Sequence, residues 1–333
     1  VIIASKQWIM HFDCILLDAS ALIYRSFYAV PDHFSTKKGE VTNAVYGFTN
    51  ILIHVLKSYG PEYIAVGYDM KGKTLRHDSY EEYKATRVKA PDALYAQIPR
   101  TKDVLDAFGI SYFEKEGYEA DDVIGTLSSS FVRQFPGKKV LIISGDQDLF
   151  QLINNEVFVS TLKNGVKKME IFNDNEVMQK LHIHANQVVD YKALVGDASD
   201  NIPGVPGVGP KTASSWLERY GSVDVLYQHL SELPERWNKT LSTNKDQAYL
   251  SQRLAQIYYD VPIDLTWESC VWKGAEEQNI NAVFGELEFH SILGKAHALT
   301  KEYHEENRLL DEIREHEQNH KQPIDPTIQQ SLF

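Results

Sequence analysis

Nine carboxylates are spaced along the sequence in a way that suggests joint chemistry: Asp18, Asp69, Glu119, Asp121, Asp122, Asp146, Asp148, Asp197 and Asp200. Glu119 and Asp122 stand three residues apart where a helix should begin, so they are expected to share a face. Asp197 and Asp200 repeat that spacing, and Asp146 and Asp148 flank a turn. Held close, nine acids would repel and raise one another's pKa values unless cations neutralised them. Oxygen donors without accompanying His or Cys favour Mg2+ or Mn2+ over zinc. Two such ions about 4 Å apart can clamp the attacking and leaving oxygens of a phosphodiester.

Three residues separate Asp200 from "GVPGVGPKTA", residues 204–213, which with Pro203 makes a Gly-hydrophobic-Gly hairpin over residues 203–213 that feeds a helix. Gly207 and Gly209 are expected to permit positive φ and to leave backbone N–H groups unshielded. Pro210 suits the first position of a helix. With Lys211 and Thr212, these amides would form an anion nest for a backbone phosphate, contacted without reading sequence. The plain alternative is a hairpin whose glycines serve geometry alone. The neighbouring Asp197 and Asp200 favour the phosphate reading.

These groups need elements to position them. The apolar runs "FDCILLD", "YIAVGYD" and "KVLIISGDQD" read as buried strands, each ending on candidate acids. Helix-like stretches such as "NAVYGFTNILIHVLKSYG" and "ADDVIGTLSSSFVRQF" separate them. The alternation predicts an α/β fold: a mostly parallel central sheet with helices on both faces. Ligands of such sheets sit beyond the carboxyl ends of the strands, so three acids at three strand ends should converge. One Asp after a strand is commonly a solvated loop residue. Three at the same kind of position weaken that reading.

The sequence divides into a core at 11–185, a helical duplex-binding region at 186–293, and a polar tail at 294–333. Within the core, residues 71–102 carry eight Lys/Arg against four Asp/Glu. They are expected to project as a helical arch broken near Pro91, although charge alone would favour a solvated helix face.

The net charge of −12 does not exclude a nucleic-acid partner. The nine acids account for most of it. Residues 301–320 add seven acids against three bases, leaving the remainder near +1. Two cysteines, Cys14 and Cys270, are too few for a disulfide framework and point to a reducing compartment. No apolar run approaches the roughly 18 residues of a membrane span. The opening "VIIASKQWIM" is interrupted by Lys6 and Gln7 and reads as an ordinary start rather than a signal peptide.

"GYEADDVIGTL", "ISGDQDLFQLI" and "VGDASDNIPGVPGVGPKTA" closely resemble the 5′-nuclease, or flap endonuclease, family, above all the bacterial form found as the N-terminal part of DNA polymerase I. "LLDASALIYRSFYA" and "YDMKGKTLRHDSYEEYKATR" resemble that family's first metal-binding strand and the start of its helical arch. The similarity covers roughly residues 12–290. It implies a two-metal phosphodiesterase, an enzyme that removes 5′ flaps and RNA primers and leaves a 5′-phosphate and a 3′-hydroxyl. The nine acids would be its metal ligands, with Asp197 and Asp200 serving the second ion. Lys84 and Arg87 match the basic pair on the scissile phosphate. Tyr24, Arg25 and Arg76 match DNA-contacting positions, and K+ at the hairpin is a further expectation. The sequence departs from the family at "RVKAP", at Ala19 and at Gln147, and none of these removes a carboxylate.

The expected partners are branched or 5′-flapped DNA and RNA–DNA primer junctions, met by a cytoplasmic, nucleoid-associated monomer. The final "QQSLF" resembles a sliding-clamp peptide, with Gln329, Leu332 and Phe333 as its contacts. Two other readings compete: a related metal-dependent RNase, against which the hairpin and arch argue, and a non-catalytic junction-binding scaffold, against which the full acid set argues.

Overall fold

The three apolar runs form the middle of one sheet. In the computed structural model, which describes residues 11–163 and 168–320, six strands are present: β1 (Cys14–Asp18), β2 (Tyr63–Gly67), β3 (Ser111–Phe113), β4 (Val140–Ile143), β5 (Val157–Lys163) and β6 (Lys168–Phe172). Their order is β3-β2-β1-β4-β5-β6. Every neighbouring pair is parallel except β5 with β6. The expected mostly parallel sheet is therefore present.

Helices bury both faces, which is why the strands read as unbroken Ile/Leu/Val runs rather than alternating ones. Leu16, Ala65 and Ile142 face one side, against Val123, Leu127 and Phe131 of the helix Ala120–Gln134. That core continues into the helical region through Leu194, Ala213 and Leu217. Leu17, Val66 and Ile143 face the other side, packed on the helices Ala19–Ala29, Asn43–Tyr59 and Ile98–Ala107. Cys14 and Cys270 are free and buried.

Two stretches differ from expectation. The insertion at 71–102 contains little helix: Leu75–Ser79, then turns, then Asp92–Tyr95 directly after Pro91, and then the core helix Ile98–Ala107. The chain lies down in between, because the Lys84 N–H donates to the Asp200 carbonyl at 2.9 Å and Lys84 adopts a left-handed φ of 57°. A boundary at 294 falls inside a continuous helix, His290–His320. Its first turns are apolar on one side and bury Ile292, Ala296 and Leu299 on the second sheet face, beside Ile280 and Phe284. Residues 1–10 and the tail with Gln329, Leu332 and Phe333 lie outside the described residues.

Candidate active site

The sheet order makes β1 the central strand, with the order reversing between β1 and β4. Open α/β sheets place their ligand crevice at such a reversal, beyond the carboxyl ends. Asp18 is aligned with Gly67 of β2, and Leu17 with Ile143 of β4. Asp69 and Asp146, two and three residues past those strands, therefore emerge beside Asp18.

Each of these three acids is fixed by a hydrogen bond. Asp18 caps the helix Ala19–Ala29, accepting from the Ala21 N–H at 3.0 Å, and its other oxygen accepts from Ser144 Oγ. Asp69 accepts from the Ala120 N–H at 2.7 Å, at the start of the next helix. Asp146 accepts from the Asp148 N–H at 2.9 Å.

Burial comes first in the electrostatics. It pushes Asp18 up to about 7, with Asp69 and Asp146 adding repulsion. It pushes Asp148 to about 7 despite the Lys192 ammonium. Asp121 is raised well above the usual carboxylate range by burial and then by Asp146, Asp18 and Asp148. Asp18, Asp121, Asp146 and Asp148 thus form one mutually repelling group that asks for positive charge.

On the facing side the chain supplies that charge itself. Lys84 Nζ lies 2.8 Å from Glu119 and 3.7 Å from Asp200, and Arg87 pairs with Asp200. Tyr83, almost fully buried, donates its hydroxyl toward Glu119 and Asp200, each at 3.1 Å. Burial opposes ionisation of Asp200, yet Lys84 and Arg87 outweigh it and hold the carboxyl below its ordinary value. Lys192 bridges Asp148 and Asp197. Against its own burial, Asp197 is held down to about 2 by Lys192 and Ser199. Among the described residues, no group of three or more His, Cys, Asp or Glu stands already converged on a metal position. Ammonium and guanidinium groups occupy several of the oxygens such an ion would take.

Asp122 departs from expectation. It is 0 % exposed and forms a bidentate pair with Arg76, both contacts at 2.7 Å. Its oxygens also accept from the N–H groups of Glu119 and Tyr258, at 3.0 and 2.9 Å. Arg76, 4 % exposed, spends its remaining donors on the carbonyls of Leu254 and Gln256. Asp122 has no free direction toward the acid group, and Arg76 none toward DNA. Glu119, the extended N-cap of this helix, shares the expected face with Asp122, but both carboxylates face Arg76, at 3.6 and 2.7 Å. It is Asp121, one step around the helix, that joins Asp18 and Asp146.

The hairpin is anchored beside Asp197. Gly204 packs on Gly196, where an added Cβ would meet the Gly196 nitrogen at 2.3 Å. Val205 and Val208 are buried, and the Val205 N–H donates to the Leu194 carbonyl at 2.8 Å. Gly207 has the expected positive φ, 79°. Gly209 does not: its φ is −104°, and it serves as N-cap to the helix Pro210–Tyr220. Neither glycine would direct a Cβ at anything within 4 Å. Lys211 is exposed and Thr212 half-buried, with the Thr212 N–H donating to the Gly209 carbonyl. Tyr24 is exposed and Arg25 half-buried on the helix that Asp18 caps.

Sequence reasoning missed Tyr83, Ser144 and Lys192. Tyr83 adjoins Lys84, which was a usable signal. Lys192 meets Asp148 across 44 residues, which no spacing rule reveals.

A sequence model of the 5′-3′ exonuclease N-terminal resolvase-like domain matches residues 13–182. The C-terminal SAM fold of the same family matches residues 183–278. The chain belongs to the 5′-3′ exonuclease family. DNA polymerase I of Caldicellulosiruptor bescii is 41% identical over 281 residues, covering 84% of this chain and 33% of that protein. DNA polymerase I of Bacillus subtilis is 38% identical over 298 residues, covering 89% and 34%. The chain thus spans about a third of the length of these relatives. Among solved structures, the bacteriophage T5 flap endonuclease in a pseudo-enzyme–product complex with DNA and metal ions shares the fold: TM-score 0.58, 22% identity, 88% of this chain and 98% of that one. Among the described residues no helix is long and apolar enough to cross a membrane.

Proposed function

We propose that this exonuclease-family chain is a structure-specific 5′→3′ exonuclease and flap endonuclease. It would hydrolyse DNA, and RNA-primer, phosphodiesters to a 5′-phosphate and a 3′-hydroxyl. The observation that carries this is the parallel register that brings Asp18, Asp69 and Asp146 out side by side at the sheet's carboxyl edge, with Asp121 and Asp148 near enough to repel them and the cations Lys84 and Arg87 paired to Glu119 and Asp200.

The donors fit hard divalent ions, Mg2+ or Mn2+. They are all oxygen, and the carboxylates, Asp18 buried and Asp121, Asp146 and Asp148 half-buried, repel one another in a way that a cation relieves. Asp18, Asp69, Asp121, Asp146 and Asp148 would hold the first ion. Glu119, Asp197 and Asp200 would turn to the ions as Lys84, Arg87 and Lys192 turn to the phosphate. When bound, two such ions would activate water and stabilise charge on the phosphoryl oxygens. Lys84 is suited to its part: burial opposes its charge, but Glu119 and Asp200 raise its pKa, so it stays an ammonium near neutral pH. Its charge and that of Arg87 would stabilise the non-bridging oxygens.

The amides of Gly207 and Gly209 would hold a duplex phosphate beside Asp197 and so fix the distance from duplex to acids. K+ at the hairpin has weaker support, since the carbonyls of Val205 and Gly209 already accept N–H groups. Binding through phosphates should weaken steeply with salt. In this reading, clamp contact by the tail and a monomeric, nucleoid-associated state remain part of the proposal.

A 5′-labelled flap incubated with Mg2+ and then with excess EDTA tests the assignment. Release of the flap only with Mg2+ supports it. Binding without cleavage would favour the scaffold, and cleavage of RNA alone the RNase.

A further inference from the structure

The helix Lys245–Ala255 joins the hairpin to the turn that carries Asp148, and polar side chains hold it at both ends. At the hairpin end it grips Gly204 by both backbone groups. The Gly204 N–H donates to the hydroxyl of the buried Ser251 at 3.0 Å, and the Gln247 carboxamide donates to the Gly204 carbonyl at 2.6 Å. Its flank is tied to the helix Val188–Val195 by Gln252, which donates to Asp190 at 2.7 Å.

At the other end Ala255 is followed by Gln256 in extended conformation and not by a glycine cap, so the last carbonyls need outside donors. The core supplies them. Arg76 donates to the Leu254 carbonyl, and the Gln151 carboxamide donates to that of Ala255 at 3.0 Å. The same carboxamide nitrogen donates to the Asp148 carbonyl at 2.9 Å, and its oxygen accepts from the Ile257 N–H at 3.0 Å. One buried side chain therefore links the Asp148 turn to the helix end. Between Gln247 and Ala255 the helix spans about 12 Å, at 1.5 Å per residue.

We propose that this helix is a strut, and that Gln151 and Gln247, at its two ends, are positioning residues that set where on the strand the cut falls. This rests on the nuclease reading above. A phosphate on the hairpin fixes the duplex, and the strut fixes the hairpin relative to Asp148. A shift of about 1 Å at either end is enough to misplace a reacting group. Lys192 also joins Asp148 to Asp197, but it is charged and turns to the phosphate in that reading. The two carboxamides are neutral, so their bonds do not depend on the charge of the acids or on the arrival of ions.

The test compares Gln151→Met and Gln247→Ala with wild type in two measurements. Val177→Ala is the control: it opens space in the core on the helix Asp174–Leu181 and touches none of these bonds. The first measurement is hydrogen exchange of the free protein in EDTA. We expect Gln151→Met to speed exchange of the hairpin amides at 204–208, and Gln247→Ala that of the amides at 148–152, by roughly fivefold. Val177→Ala should lower the melting point without either effect. The second maps cut positions on a 5′-labelled flap with Mg2+ at single turnover. The fraction cut away from the main wild-type position should rise about threefold or more in both strut variants and stay unchanged in Val177→Ala. Unaltered exchange at the far end in both strut variants, or the same scatter in Val177→Ala, would overturn the strut. An unmoved cut position would overturn its role in placing the cut. Absence of cleavage by wild type would count against the nuclease reading, while the exchange measurement still decides the strut.

Discussion

Replacing Asp122 with Asn should destabilise the protein even when no metal can bind, because the structure makes this residue a brace. The change removes the charge facing Arg76, which is 4 % exposed and cannot recover water as a partner. Breaking a buried pair from one side typically costs 3–5 kcal/mol. Arg76 keeps Glu119 at 3.6 Å and the Leu254 and Gln256 carbonyls, so the lower end, about 3 kcal/mol, is expected. At roughly 2–4 °C per kcal/mol for a unit of 150–250 residues, the melting point should fall by about 6–12 °C. The assay is a circular-dichroism melt in EDTA at pH 8. Asp121→Asn is the control with the opposite sign: it removes one of four repelling carboxylates and should melt at or above the wild-type temperature. The pair replacement Arg76→Met with Asp122→Leu should recover most of the loss, since a buried ion pair is often replaceable by packed apolar groups. An Asp122→Asn protein melting within 2 °C of wild type in EDTA would refute the brace.

Other outcomes follow from the same contacts. Lys84→Ala should lower single-turnover cleavage of a flap far more than flap affinity, because its charge acts on the transition state; an equal fall in affinity with an unchanged rate would move it to simple binding. Gly209→Val should weaken duplex binding without lowering the melting point, since the backbone there is extended and the Cβ direction open; affinity within twofold of wild type would make the hairpin purely structural. Gly204→Ala should instead cost about 1–3 kcal/mol of stability, from its φ of 64° and the contact with Gly196; an unchanged urea midpoint would contradict that packing. In EDTA, Asp18 and Asp148 bind protons more readily folded than unfolded, so their contribution to stability falls as pH rises from about 4 through about 7. The drop in melting point from pH 6 to pH 8 should therefore shrink in Asp18→Asn, and an undiminished drop would contradict the raised value.

Most of the site was legible because strand-end acids follow from topology: once β1, β2 and β4 are parallel neighbours, Asp18, Asp69 and Asp146 must emerge together. The hairpin was legible for a similar reason, since Gly207 and Pro210 have local meanings that survive folding. What stayed hidden depended on tertiary contact. Asp121 and Asp122 are adjacent and alike, and only Arg76, brought from 46 residues away, separates their roles. Gly209 looked like Gly207, but its position as N-cap requires only extended backbone. The insertion looked helical by composition, and the Lys84–Asp200 main-chain bond holds it down in turns instead. The apolar turns after 290 were lost in a polar stretch, because a helix needs only one buried stripe to dock.

Phosphodiester hydrolysis by the strand-end acids stands or falls on Asp146→Ala and Asp148→Ala. The measurement is single-turnover release of a 5′-labelled flap with Mg2+, together with flap affinity in EDTA. Release should be abolished while affinity stays unchanged or becomes slightly tighter, since a negative charge near the phosphates has been removed. Retention of more than about a tenth of the wild-type rate would contradict it.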